Sequence, residues 1–251
     1  GMQAAIVLAE RGFRPILFER RAYLGGSAVL ASKAPCKGLV AEYIETQKNQ
    51  LAALGVQVEL NHAPTMAELR RLDPYGIFVT MGGQQIVPDI PGIDRENVFG
   101  IEDILLGRRV IEGRKVAVIG GGHVGLEVAH FLCANNKVTI VEMADEIGAS
   151  VYYITKFKLL PLLREAGVTF RTGQAIAAVD DGSIRLRDTH TGQCTELKAE
   201  AVVLAMGSRP DLAARAAFDR NFDHVVYAGD AVRGGTMLEA NRDAFALAWE
   251  F

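Results

Sequence analysis

Residues 115–142 read KVAVIGGGHVGLEVAHFLCANNKVTIVE. Five β-prone residues run into Gly120, Gly122 and Gly125, an amphipathic stretch follows, and a second β-prone run closes on Glu142. Each part has a physical reason. The first glycine permits a tight turn, the second lets a pyrophosphate approach the backbone, and the third lets helix and strand pack closely. A helix that opens at that turn offers free N–H groups and the positive end of its dipole to an anion. Glu142 stands 20 residues after Gly122, where a carboxylate can accept hydrogen bonds from a ribose diol. The spacing therefore predicts a strand at 115–119, a helix at 124–135 and a strand at 137–142, joined as a dinucleotide-binding βαβ unit. A methyl-donor cofactor uses a similar turn, and a purely structural glycine turn is the plainer alternative. Met143, Ala144 and Asp145 offer no Arg to a 2′-phosphate, so NADH is expected over NADPH.

The chain repeats this pattern internally. GMQAAIVLAERGFRPILFE (1–19) set above GLEVAHFLCANNKVTIVE (125–142) runs glycine, helix, polar turn, strand and terminal Glu in both copies. Gly1 either takes the place of the third glycine or is left from a cleaved tag before a start Met, and Glu19 takes the place of the ribose acid. No opening strand and no earlier glycines precede Gly1, so the first unit is expected to bind its nucleotide poorly. The expected fold is α/β, with two Rossmann-like parallel-sheet dinucleotide-binding domains, one set inside the other. The outer domain covers 1–107 and 210–251, and the inserted one covers 108–209.

Further elements follow from periodicity and punctuation. Helices are predicted at 2–11, closed by Gly12, and at 38–54, with Leu39, Tyr43, Ile44, Leu51 and Leu54 near helical spacing. Thr65 and Glu68 make a capping box, and a helical pattern at 151–166 is interrupted by Pro161. Residues 15–19 read as a short buried strand. Further strands are predicted at 56–60, 76–80 and 224–228, hairpins turning at Asp181-Gly182 and Thr191-Gly192, and a closing helix at 237–250. The stretch VPDIPGID (87–94) reads as a connector.

Charge and composition exclude several partners. The formal net charge is −3 and the basic residues form no stripe, which argues against nucleic acid. No apolar run reaches the ~18 residues of a membrane span. Cys36, Cys133 and Cys194 are far apart and form no metal-ligand spacing, so a reducing, cytoplasmic setting is expected.

Several stretches in order resemble the two-dinucleotide flavoprotein superfamily, in which a nicotinamide domain is inserted into an FAD domain. They are Leu24-Gly25-Gly26, VTMGGQQIVPDIPGID (79–94), GGGHVGLE (120–127), LAMGSRPD (204–211) and VVYAGDA (225–231). VTIVEMADEIG (138–148) is similar to the C-terminal half of NADH:flavin oxidoreductases of the 2,4-dienoyl-CoA reductase and trimethylamine dehydrogenase type. The resemblance implies FAD and NAD as cofactors, with FAD binding impaired by the absent first strand. It implies cofactor contacts from Gly1, Glu19, Arg20, Gly25, Gly26, Thr80, Gly82, Gly229 and Asp230, the last holding the ribityl chain. In and around the inserted domain it implies Gly120, Gly122, His123, Val124, Gly125, Glu142 and Gly207. His123 stands where disulfide reductases place an aromatic gate, or else it is a helix-start residue facing the phosphates. Glu127 is either near the nicotinamide end or an ordinary polar helix residue.

The chain also departs from the pattern. No cysteine pair lies near the flavin position, and Cys36 reads as structural. The FMN barrel and iron–sulfur cluster of the dienoyl-CoA reductase type have no counterpart here, so such a domain or another electron-transfer protein is an expected partner. The implied activity is hydride transfer between NADH and FAD, with no catalytic side chain identified. The alternative is a nucleotide-binding module without turnover.

Overall fold

The computed structural model describes residues 1–251. It divides into two compact units: Gly1–Ser32, Gly38–Gln84 and Ser208–Phe251 form the outer one, and Lys33–Lys37 with Gln85–Gly207 the inner one.

In the outer unit the chain runs α1 (Met2–Glu10), β1 (Ile16–Glu19), α2 (Ser27–Lys33), α3 (Gly38–Ala53), β2 (Gln57–Leu60), α4 (Met66–Leu72) and β3 (Ile77–Val79). Helix α1 is MQAAIVLAE, and Ala4 to Leu8 are all buried. A helix that is apolar all round must be covered on several sides. Here Ala4, Val7 and Leu8 pack with Ala228, Ala244 and Ala248, while Ala5 and Ile6 pack with Leu24 and Leu51. The alanines let the backbones come close. Strand β1 pairs in parallel with β2, from Ile16 opposite Gln57 to Glu19 opposite Leu60. Its four residues are half-buried rather than buried, because β1 has a ladder partner along one edge only.

Helix α3 turns Ile44, Gln47 and Leu51 inward. Leu39 is 78% exposed and Leu54 40%, against the sequence expectation. At 3.6 residues per turn Leu39 falls about a third of a turn off the buried stripe, and Leu54 lies beyond the helix end. The Thr65–Glu68 capping box opens α4 as expected.

The inner unit begins near β4 (Gln84–Gln85) and continues through β5 (Val98–Gly100), α5 (Ile101–Leu105), β6 (Lys115–Ile119), α6 (His123–Leu132), β7 (Lys137–Val141), α7 (Tyr153–Glu165) and β8 (Thr169–Arg171). It then runs through β9 (Gln174–Val179), β10 (Ser183–Asp188), β11 (Cys194–Lys198) and β12 (Ala201–Leu204). Five strands form a parallel sheet in the order β5-β12-β6-β7-β8, and β11-β10-β9 form an antiparallel sheet. Val116 to Ile119 of the central β6 are all buried, as a strand covered on both faces requires. On one face Ala117, Ile119, Val141, Val202 and Leu204 meet Ile176, Val179, Ile184 and Leu186 of the antiparallel sheet. Helix α6, which buries Leu126, Val128, Ala129 and Leu132, packs on β6 and β7.

Two expectations are corrected in this unit. Residues 85–107 belong with it rather than with the outer unit, because Val98–Gly100 pairs with Val202–Leu204 as the sheet edge. Helix α7 runs through Pro161 without interruption. The proline cannot donate to the carbonyl of Phe157, but Phe157 is 79% exposed and water can serve that carbonyl.

The chain returns to the outer unit through β13 (Ser208–Arg209), α8 (Leu212–Asp219), β14 (Val225–Tyr227) and α9 (Met237–Glu250). β14 pairs in parallel with β3, a ladder separate from β1–β2. Helices α2, α5 and α8 were not expected. Asp211 caps α8 by accepting from Ala214 N at 2.9 Å.

Candidate functional site

In the inner unit the glycine turn lies at the carboxyl ends of β6 and β7, where sheets of this kind bind ligands. Gly120 has φ +107°, and a Cβ there would collide with the carbonyl of Ala205. A Cβ on Gly125 would overlap the carbonyl of Gly120, so strand and helix approach as closely as backbones can. A Cβ on Gly122 would meet nothing within 4 Å, leaving open space at the start of α6. Gly122 caps α6 with no side-chain bond, so the first-turn N–H groups at His123, Val124 and Gly125 face that space without intrahelical partners.

Glu142 follows β7 and its carboxylate is already fixed. Oε2 accepts from Gly121 N at 2.6 Å and Oε1 from Ala144 N at 2.9 Å. Each oxygen keeps a lone pair for a diol. The loop after Glu142 is braced from below. Gly173 N donates to Ala144 O and Gln174 N to Glu142 O. Thr189 Oγ1 reaches Gly173 O at 3.1 Å, and His190 Nε2 lies 2.6 Å from Asp145 Oδ1. The hydrogen bond and charge of Asp145 hold His190 above the ordinary histidine range.

One cluster at this helix end is larger than the sequence implied. Glu127 is only 8% exposed. Its Oε1 lies 3.2 Å from His123 Nε2, one turn earlier on α6, and 2.6 Å from Lys37 Nζ. Burial pushes the Glu127 carboxyl up, but the hydrogen bonds and charges of His123 and Lys37 outweigh it and hold the group below the usual range. The His123–Glu127 spacing was visible in the sequence. Lys37 lies far away in the chain, and nothing local marks it.

In the outer unit the remaining residues gather at the carboxyl ends of its parallel strands. Glu19 ends β1, and its Oε1 accepts from Arg21 N at 2.8 Å, while Arg20 is exposed. Gly1 opens α1 beside Thr80, whose Oγ1 would lie 2.9 Å from a Cβ on Gly1. Gly25 (φ +113°) and Gly26 (φ +50°) make the turn before α2, and Gly82 (φ +77°) has open space around it. Gly229 (φ +61°) begins a short 3₁₀ turn after β14. Asp230 accepts from Gly235 N at 3.2 Å and from Ser208 Oγ at 3.4 Å, which orients its carboxylate just before α9. Gly207 (φ +84°) belongs to the inner unit, past the end of β12, and its carbonyl accepts from Ile86 N. Cys36 is exposed and sits at φ +62°. No helix is long and apolar enough to cross a membrane.

Residues 1–224 match the family described as pyridine nucleotide-disulphide oxidoreductase. The chain belongs to that family. An NADH oxidase of Thermoanaerobacter brockii is 31% identical over 256 residues, spanning 100% of this chain and 39% of the relative. A cinnamate reductase of Clostridium sporogenes is 29% identical over 254 residues, spanning 99% of this chain and 37% of the relative. The solved 2-naphthoyl-CoA reductase, in complex with 2-naphthoyl-CoA, superposes with a TM-score of 0.90 at 27% identity, over 100% of this chain and 38% of that one. This chain of the family therefore spans about two fifths of the length of these relatives. Its fold is the Rossmann-like, parallel-sheet dinucleotide-binding fold of such oxidoreductases.

Proposed function

We propose that this chain is the nucleotide-binding part of a flavin-dependent oxidoreductase, in which a hydride passes between NADH and FAD. The inner unit would hold the nicotinamide nucleotide and the outer unit FAD. The observation that carries this reading is Glu142, fixed by two backbone N–H groups beside a glycine turn whose Gly122 faces open space. The residues fit the groups. Gly122, His123 and Val124 would take the pyrophosphate of NADH, and Glu142 its adenosine ribose. Glu19 and Arg20 would face the FAD ribose, Gly25, Gly26, Thr80 and Gly82 its phosphates and ring edge, and Gly229 and Asp230 its ribityl chain. When bound, the two cofactors supply the redox chemistry themselves. The chain's own residues bind and orient them.

The resemblance at 138–148 and the length of the relatives support a narrower reading, the 2,4-dienoyl-CoA reductase and trimethylamine dehydrogenase type. A domain carrying FMN and an iron–sulfur cluster, or a separate electron-transfer protein, would then be the partner. The test is to purify the chain with added FAD, remove the excess, and titrate it with NADH without oxygen. Because the outer unit is expected to hold its nucleotide poorly, a weak flavin spectrum that bleaches on NADH addition is expected. A protein that binds NADH but keeps no flavin would instead favour a binding module without turnover. A protein that binds neither would overturn the proposal.

A further inference from the structure

We propose that α9 is the surface through which two copies of this chain pair antiparallel, with Leu238, Arg242, Phe245 and Trp249 as the seam. The inference does not depend on either nucleotide site. Helix α9 turns Ala244 and Ala248 onto the buried α1. Beyond its buried stripe a surface helix normally carries polar residues. Here Leu238 is 64% exposed, Phe245 49% and Trp249 59%, with the exposed Arg242 among them. Trp249 is the one tryptophan in the chain.

The four residues recur at intervals of four, three and four, the alternation that keeps a narrow seam turned toward a facing helix. That series reads the same in either direction. An antiparallel copy therefore meets it position for position: Leu238 faces Trp249 of the second copy, and Arg242 faces Phe245 of the second copy. Each contact occurs twice about the two-fold axis, as a self-complementary pair requires. Glu239, Asp243 and Glu250 lie about a third of a turn round the helix from the seam, so pairing buries no acid.

The chemistry of the seam matches itself as well. Arg242 makes no hydrogen bond or ion pair within the chain, so its guanidinium is available to an aromatic face, and the facing position supplies Phe245. Phe245 and Trp249 already stack, with ring centroids 6.0 Å apart and planes 5° from parallel, so association orders little that is not ordered before it. Beside the middle of the seam runs a groove of about 410 Å3 lined by Gln3, Asn241, Arg242, Phe245 and Ala246, where a side chain of the facing helix can enter. A helix of 14 residues offers a small interface, so the pairing is weak and depends on concentration.

The experiment is sedimentation velocity on the full chain from about 1 to about 300 µM, with tryptophan emission read over the same range. The chain should pass from monomer to dimer and stop there, because a two-fold contact closes on itself. Emission from Trp249 should move to shorter wavelength in step, as the indole leaves water. Arg242→Glu and Trp249→Ala should each weaken the dimer about tenfold or more. Phe157→Ser, which removes a ring 79% exposed on α7, should leave it unchanged. All three positions are exposed, so unchanged melting temperatures will show that the fold is kept. In a chain also carrying Cys36→Ser and Cys194→Ser, Leu238→Cys should cross-link to Trp249→Cys in a mixture. Two copies of Leu238→Cys place their thiols about 16 Å apart along the helix axis and should not link. A monomer at every concentration would leave this face to a different polypeptide and overturn the proposal. So would growth beyond dimers, a dimer that tolerates either Arg242→Glu or Trp249→Ala or is equally lost in Phe157→Ser, or Leu238→Cys linking to itself as readily as to Trp249→Cys.

Discussion

Glu142 bears most directly on which nicotinamide nucleotide binds. A 2′-phosphate would place negative charge beside a carboxylate held in position by Gly121 N and Ala144 N. Like charges a few ångströms apart in a partly buried site cost on the order of 1–4 kcal/mol. NADPH should therefore bind about tenfold or more weakly than NADH, and Glu142→Ser should narrow the gap. Equal affinities in parallel titrations of the parent chain would count against the assignment. Cys36 bears on a different chemistry. It is exposed, and the nearest sequence neighbour of its kind is Cys133. Cys36→Ser should leave any NADH-dependent reduction of an artificial dye unchanged. A variant that keeps its fold and cofactors but loses turnover would show that the thiol takes part.

At the scale of elements, the loop that carries Glu142 depends on the β10–β11 turn. His190 reaches Asp145 from that turn, and its folded-state pKa is raised. A raised pKa stabilises the fold below the unfolded value and loses that contribution as pH rises through the folded value. The melting temperature of His190→Gln should thus lie below the parent's at about pH 6 and converge with it in alkaline buffer. A gap that is constant with pH would mean that the charge plays no part.

The β6–α6–β7 unit was legible because every part of it is local. The glycines, the helical stripe and the acid fall within 28 residues, and each is dictated by backbone geometry. The Thr65–Glu68 cap was legible for the same reason. What was missed is either short or distant. Helix α5 has five residues, too few for a period to show, and β5 is defined by β12, about a hundred residues later in the chain. Leu39 counted as apolar but falls on the wrong side of its helix, and Pro161 counted as a break where the helix runs on along an exposed face. The partner that completes the Glu127 cluster comes from a turn with no motif of its own.

At the scale of the molecule, each unit has its own core. The inner one closes between two sheets, and the outer one around the buried α1. Calorimetry should therefore resolve two transitions, and NADH should raise only that of the unit containing residues 85–207, by mass action on its folded form. A single transition that moves as a whole with NADH would refute this division.

Five residues, Lys33–Lys37, complicate any attempt to treat that unit as a portable module. They are encoded within the outer unit yet fold with the inner one, and Lys37 supplies half of what balances the buried Glu127. A gene fragment spanning 85–207 would carry the whole nucleotide fingerprint into a new host and leave this counter-ion behind. Exchange of such domains between proteins would thus tend to succeed only where the recipient already places a cation at that spot. The pairing works as an inherited compatibility requirement, written in a segment that simple cut-and-paste of the domain would omit.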